Sequence, residues 1–329
     1  MGTVALLSLS ILTAAFKAID TLLLTCLIFC GQPLLRLIRS LQLVREAIWA
    51  QSEDVSPRDE LAFADAIIYF CSSGLFLPYY IGVAEFLKAN FDCSSLIVAG
   101  VSGGYAPAAS IVLGLDSETH WRAIEGMRVA GRSRALGNYF FSEHEMIHSG
   151  YLPLLEEDEP RLLRSLSKRR LWLGCTQLWP RPLRSMWTSS FESVKALCHA
   201  CTCSMRVFPI LRLPGKLRGC WVVDGMLGCH PRQLANAERM LIVSAVPSRE
   251  GLSPKRVLGG VTDLTRLPSR RNFDRWMAQG WEDASEGRAH FERLGLKPLR
   301  RSVEAPTPET ASVLESVARR FDTSSQKEA

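Results

Sequence analysis

Residues 94–114 read SSLIVAGVSGGYAPAASIVLG. A short apolar run, Ser95-Leu-Ile-Val-Ala, leads into the small residues Gly100-Val101-Ser102-Gly103-Gly104, and apolar spacing then resumes until Gly114. An apolar run of strand length followed by a helical one that stops at glycine predicts strand, tight turn, helix. Gly100 to Gly104 also satisfies G-x-S-x-G, the pattern that holds a serine on a sharp strand-to-helix turn. Small flanks are needed because the turn is tight. The helix that follows aims its N–H groups and dipole at a developing oxyanion. The pentapeptide by itself leaves two readings open: Ser102 is a nucleophile, or it lies in an ordinary glycine-rich turn.

Working outward, FADAIIYFC, ending at Cys71, has the look of a buried strand, and YYIGVAEFLKANF has helical spacing. Strand, loop, helix, strand, elbow, helix is the signature of a parallel α/β sheet. Further on, RRLWLGCTQLW (169–179) alternates like a strand, and SFESVKALCHACTC reads as helix. GCWVVDG (219–225) is a strand ending at an Asp-Gly turn, RMLIVSAVP is another strand, and FDRWMAQGWEDASEGRAHFERLGL is one amphipathic helix. Residues 115–165 read as mostly helical, and no internal repeat is visible.

A chain of 329 residues with 47% hydrophobic content can bury one large core. Its net charge of +6 is too small to argue for nucleic acid and is compatible with an anionic membrane surface. The ten cysteines form no disulfide framework, which points to a reducing compartment. CHACTC (198–203) lacks a second well-spaced Cys/His pair, so no metal is expected there.

Three regions follow. Residues 1–50 form a hydrophobic and amphipathic membrane-anchoring segment. From Val4 to Cys30 the chain is apolar apart from hydroxyls and the pair Lys17 and Asp20. About 27 helical residues would cross a bilayer of about 30 Å, yet two mid-span charges are costly there. Spanning and inserting without spanning both stay open. The stripe Leu34, Ile38, Leu41, Val44, Ile48, with arginines beside it, suits a membrane interface. Residues 51–301 form the α/β domain, and residues 302–329, rich in Pro, Thr, Ser and Glu, are expected to be disordered.

A nucleophilic serine needs a base. Of the six histidines, only His230 and His290 follow Asp224, the order that a Ser-Asp-His triad requires. His230 is six residues from Asp224, an unusual spacing, and His290 sits in an amphipathic helix. The alternative is a Ser–Asp dyad. Asp224, if it ends a parallel strand, points into the crevice where open α/β sheets place their sites, and it can accept the Ser102 proton directly or through water. On its residues alone Asp224 reads first as an Asx turn at a strand end.

Five blocks, in order, resemble the patatin-like phospholipase family, and within it the adipose triglyceride lipase type: YYIGVAEFL, VAGVSGGYAPA, SFESVKALCHACTCSMRVFPI, CWVVDGMLGCHP and MAQGWEDASEGRAHFERLGL. The resemblance covers Ala62 to Leu296. It implies a three-layer α/β/α sandwich with a mostly parallel central sheet. It also implies a serine lipid acyl hydrolase, of triacylglycerol lipase or phospholipase type, working without cofactor. Ser102 would be the nucleophile and Asp224, in its turn with Gly225, the base. Backbone N–H groups of Ser73, Gly74, Leu75 and Gly103 would form the oxyanion hole, with Gly100 and Gly104 shaping the elbow. The implied partners are a lipid ester and a membrane or lipid-droplet surface facing the cytoplasm, at the endoplasmic reticulum or a droplet. A protein coactivator is compatible with it, and nucleic acid is not implied.

The chain departs from the family pattern in one loop. Where the family has G-x-G-x-x-G, Ser72-Ser73-Gly74-Leu75-Phe76-Leu77 keeps Gly74 alone, and Pro78, which has no N–H, follows. Met226 replaces a small residue after the dyad turn. Losing one oxyanion donor costs about 3 kcal/mol, which makes a weakened or inactive lipid-binding, regulatory protein of the same fold the alternative expectation.

Overall fold

The structure, a computed structural model, describes residues 61, 64–131, 147–179, 184–206, 214–235, 237–248, 251–256, 258–259 and 267–299. The anchoring segment 1–50 and the tail 302–329 lie outside the described residues. Among the described residues no helix is long and apolar enough to cross a membrane. The elements all belong to the unit Met1–Lys297.

In chain order they are β1 (Ile67–Phe70), α1 (Leu77–Asn90), β2 (Ile97–Val101), a 3-10 turn (Ser102–Gly104) running into α2 (Tyr105–Leu113), and α3 (Ser117–Gly131). A π-helical turn (Ile147–Tyr151) leads to α4 (Leu152–Glu156) and α5 (Glu159–Leu166). Then come β3 (Leu171–Trp179), β4 (Arg184–Thr188), α6 (Val194–Ser204), β5 (Gly215–Leu217), β6 (Cys220–Asp224), β7 (Met240–Val243), α7 (Arg270–Glu286) and α8 (Arg288–Arg293).

The seven strands form one mixed sheet, paired in the order β5-β6-β3-β2-β1-β7, with β4 also on β3. The run β3-β2-β1-β7 is parallel, and β3 pairs antiparallel with both β4 and β6. The parallel strands are continuous apolar runs because both their faces are covered. Ile68, Phe70, Val98, Leu173 and Val243 join the larger core, to which all eight described α-helices contribute. Ile67, Tyr69, Ala99, Val101 and Trp172 face a smaller core with Leu61, Cys229 and Leu234.

The register settles where the ends of the strands meet. On β3, residues 173–174 pair with both β2 and β4, and residues 175–177 pair with both β4 and β6. A strand has two edges, so β2 and β6 share one edge of β3 and β4 occupies the other. β2 runs parallel to β3 and β6 antiparallel, so their carboxyl ends meet.

Three sequence readings change. Asp224 ends an antiparallel strand, not a parallel one. Short β4 and β5 give little local signal and exist through pairing with β3 and β6. The amphipathic stretch 273–296 is two helices: α7 starts after Ser269, whose side chain caps the Asn272 N–H, and ends at Gly287. There a Cβ would crowd Leu252 Cδ1 at 2.8 Å.

Two glycines set the crossing of α1 and α7. A Cβ at Gly82 would collide with the Met277 carbonyl oxygen, and one at Gly280 with the Tyr79 carbonyl oxygen. The two backbones therefore approach within a distance that only glycine permits.

Candidate active site

Ser102 is the first residue after β2, is 6% exposed, and has φ +50°. A positive φ at a non-glycine residue is strained and survives only where surrounding structure enforces it. Here the enforcement is close packing. A Cβ at Gly100 would collide with the Gly104 carbonyl, and one at Gly104 with the Phe70 carbonyl at the end of β1. The turn passes directly into α2, all nine residues of which are buried, so the positive end of that helix lies at Ser102.

Asp224 ends β6 and is 1% exposed. It stands opposite Cys175, while Val101, the residue before Ser102, stands opposite Gly174. Consecutive residues of β3 thus bring the elbow and the dyad turn together. Gly225 fits the same junction: a Cβ there would collide with the Gly174 carbonyl and crowd Val101 Cγ1 at 2.9 Å.

Asp224 Oδ1 accepts the Met226 N–H at 2.8 Å, an Asx turn. Oδ2 meets no hydrogen-bond donor in ordinary geometry among the described residues. Burial pushes the Asp224 pKa up to about 6, against the opposing pull of the Met226 N–H and then of the Ser102 hydroxyl. The hydroxyl therefore stands near enough to favour the carboxylate without closing to a full hydrogen bond, a spacing common where a catalytic contact tightens only with substrate. The neighbouring thiols Cys175 and Cys229 are pushed well up by burial and stay neutral, which keeps the surroundings of Asp224 apolar.

Two residues that the sequence reading passed over hold this junction. Ser204, the last residue of α6, accepts the Ser102 N–H at 2.9 Å through Oγ and donates from the same atom to the Gly174 carbonyl at 2.7 Å. Its own carbonyl accepts the Gly225 N–H. Ser204 therefore ties together the elbow, the β3 splint and the dyad turn. Thr176 Oγ1 donates to the Asp224 carbonyl at 2.6 Å and accepts the Gly228 N–H at 2.8 Å. No local pattern marks either residue. The nearest signal is that Ser204 falls within the block SFESVKALCHACTCSMRVFPI.

The oxyanion-loop residues lie against the elbow. Ser73 and Leu75 are buried. Phe76 N–H closes a turn onto the Ser73 carbonyl, with Gly74 at φ +54° in the first central position and Leu75 at negative φ. This is the II′ pattern, which requires glycine at that one position. Neither Ser72 nor Leu77, at the other two glycine positions of the family pattern, has a positive φ. A Cβ at Gly103 would collide with Ser73 Oγ and with the Gly74 carbonyl oxygen and lie 3.4 Å from the Gly74 nitrogen, which sets the Gly74 backbone against Gly103. Among the described residues the N–H groups of Ser73, Gly74 and Leu75 donate to no other group.

The histidines serve elsewhere. His230 caps a 3-10 turn, its Nδ1 accepting the Arg232 N–H at 3.1 Å. His290, on α8, contacts Arg293. Neither enters the balance that sets the Asp224 charge. Cys198, Cys201 and Cys203 are buried in α6. Among the described residues no group of three or more His, Cys, Asp or Glu could hold a metal ion.

No family model matches the chain, and no curated protein matches it.

Proposed function

We infer that this chain is a serine lipid acyl hydrolase of patatin-like fold, acting on a triacylglycerol or phospholipid ester at a membrane or lipid-droplet surface. The observation that carries the reading is the convergence of Ser102, in strained backbone, with Asp224, a buried carboxyl lacking a histidine partner. The resemblance of the five sequence blocks supports it independently of the geometry.

In this reading Asp224 takes the Ser102 proton as the hydroxyl oxygen attacks the acyl carbonyl. The N–H groups of Gly103 and of the Ser73-Gly74-Leu75 turn stabilise the oxyanion, aided by the start of α2. Asp224 returns the proton to the leaving alcohol, and an acyl-Ser102 ester remains. Water, deprotonated by Asp224, then attacks that ester; as the acyl–Ser102 bond breaks, Asp224 returns the proton to the Ser102 oxygen and the fatty acid is released. Each step uses only side-chain and backbone groups, with no cofactor. The single glycine of the loop is the one its turn requires, which favours an active enzyme over the weakened, regulatory alternative.

Labelling with a fluorophosphonate ester tests the assignment. The wild type is expected to label and Ser102→Ala not to label. Equal labelling of the two removes Ser102 as the nucleophile. Hydrolysis of emulsified triacylglycerol and phospholipid that is the same in wild type and Asp224→Asn, with lipid binding intact, assigns the fold to the regulatory reading.

A further inference from the structure

Buried surface dominates the described residues, yet two tryptophans on neighbouring strands are open to solvent. Trp179, the last residue of β3, is 65% exposed, and Trp221 in β6 is 47% exposed. Lys216 in β5 and Trp221 are directly opposed and share a sheet face. β3 carries a β-bulge between Gln177 and Trp179, beyond which Trp179 is the register partner of Trp221. Lys216, Trp221 and Trp179 therefore form a row across three strands, an exposed cation followed by two exposed indoles.

The hairpin that carries the row adds a second cation. Arg218 (φ +49°) and Gly219 (φ +81°) form the two-residue connection between β5 and β6. Positive φ at both positions is the I′ pattern, matched to the strand twist. Arg218 is held outward at the tip, exposed, with one guanidinium bond to the Ser190 carbonyl at 2.9 Å. No ion pair to Lys216 or Arg218 occurs among the described residues. The stretch Gly215–Val223 contains no carboxylate.

Two exposed indoles on neighbouring strands leave apolar surface open to water. An indole has an apolar body and an N–H, and it is stabilised where hydrocarbon meets headgroups. Lysine and arginine beside it are attracted to anionic headgroups. A protein partner would equally cover the indoles. The two unpaired cations, with no acid between them, favour a surface of dense negative charge. Trp221 precedes Asp224 by three residues on one strand, about 10 Å along it and on the opposite face of the sheet.

We propose that the β5–β6 hairpin and the end of β3, through Trp179, Trp221, Lys216 and Arg218, form an interfacial contact for an anionic lipid surface. This rests on the lipid-surface part of the proposed function and is independent of the Ser102 chemistry.

Full-length protein mixed with vesicles of brominated phosphatidylcholine and phosphatidylserine tests it, because bromine quenches only indoles that enter the interface. The wild type is expected to be quenched. In a Trp49→Phe background, which removes the indole of the expected anchoring segment, Trp179→Phe/Trp221→Phe should lose most of the remaining quenching while keeping its circular dichroism and melting temperature. Lys216→Ala/Arg218→Ala should shift the half-quenching lipid concentration about 30-fold upward on phosphatidylserine vesicles, about fivefold per charge, and leave phosphatidylcholine vesicles unaffected. Ser102→Ala should quench like wild type, so that loss of hydrolysis and loss of lipid contact read out separately. Equal quenching of Trp49→Phe with and without the double tryptophan substitution overturns the contact. An unchanged half-point in the charge variant overturns the choice of anionic lipid. A concentration-dependent dimer that the tryptophan substitutions abolish assigns the row to a second copy of the chain.

Discussion

Ser102 and Asp224 come from strands laid end to end along one edge of β3: Val101, just before Ser102, pairs with Gly174, and Asp224 itself pairs with the next residue, Cys175. More than a hundred residues separate them in the chain. The β3 splint removes that separation, so their alignment depends on the register of a single strand. A one-residue slip would move every side chain to the opposite face.

The ionisation of Asp224 sets a pH limb. A base must be charged to accept a proton, and burial holds this carboxyl neutral up to about pH 6. Hydrolysis measured as kcat/KM is expected to rise through an apparent pKa near 6 and then level off. Asp224→Asn should abolish the limb along with most of the rate. A profile already flat between pH 4.5 and 8 removes Asp224 as the base.

Ser204→Ala leaves the Ser102 N–H and the Gly174 carbonyl without their shared partner. Burying unsatisfied backbone groups costs about 1–3 kcal/mol. For a domain of this size, at about 2–4 °C per kcal/mol, that is about 2–12 °C in melting temperature. Because the orphaned N–H belongs to Ser102, kcat should fall more than stability alone explains, with KM little changed. Ser204→Thr, which keeps the hydroxyl, should recover part of both. A variant as stable and as active as wild type shows the hydroxyl to be dispensable.

Gly74→Ala places a Cβ at φ +54°, which costs about 1 kcal/mol or more and shifts the turn. Moving one oxyanion donor lowers rates about 100- to 1000-fold. Ser73→Ala, at a position with ordinary φ, should cost far less. If the two substitutions have equal effects on kcat, the Gly74 N–H is not a donor to the oxyanion.

His120 makes folding acid-sensitive. It is fully buried, its Nδ1 lies 2.8 Å from the Tyr151 hydroxyl, and burial, with Lys88 adding to it, lowers its pKa to about 3. The unfolded chain binds a proton near pH 6.5 and the folded chain does not. This contribution is therefore complete above 6.5 and is lost as pH falls, by about 2 kcal/mol at pH 5. Asp224 acts in the opposite direction: its raised pKa favours the folded state below about pH 4, and that advantage is lost as pH rises to about 6. Denaturant melts between pH 4.5 and 7.5 should show stability falling toward acid, with a shallower slope in His120→Gln. An unchanged slope in that variant assigns the acid sensitivity to other groups.

The local pattern was enough to find the frame. Apolar runs of strand length marked β1, β2, β3, β6 and β7. Helical spacing ended by Gly114, which adopts φ +70°, marked α2. Those features depend on residues near one another in sequence, which is where periodicity and capping carry information. Ser102 was legible for the same reason, since an elbow is a local object. Asp224 was not: an Asp-Gly turn reads the same with or without chemistry, and only its resemblance to a family turn raised it above that.

Ser72 and Leu77 stand where the family pattern has glycine, and of residues 72–77 only Gly74 occupies a conformation that favours glycine, which the sequence alone does not reveal. From the sequence by itself came an α/β chain with a serine on a strand-to-helix turn and a strand-end aspartate. Tertiary structure alone decided that β6 runs antiparallel beyond the end of β2, that Ser204 and Thr176 clamp the junction, and that Asp224 is buried deeply enough to titrate near 6. These depend on pairing between residues far apart in the chain, and on the desolvation that pairing produces, neither of which a local pattern encodes.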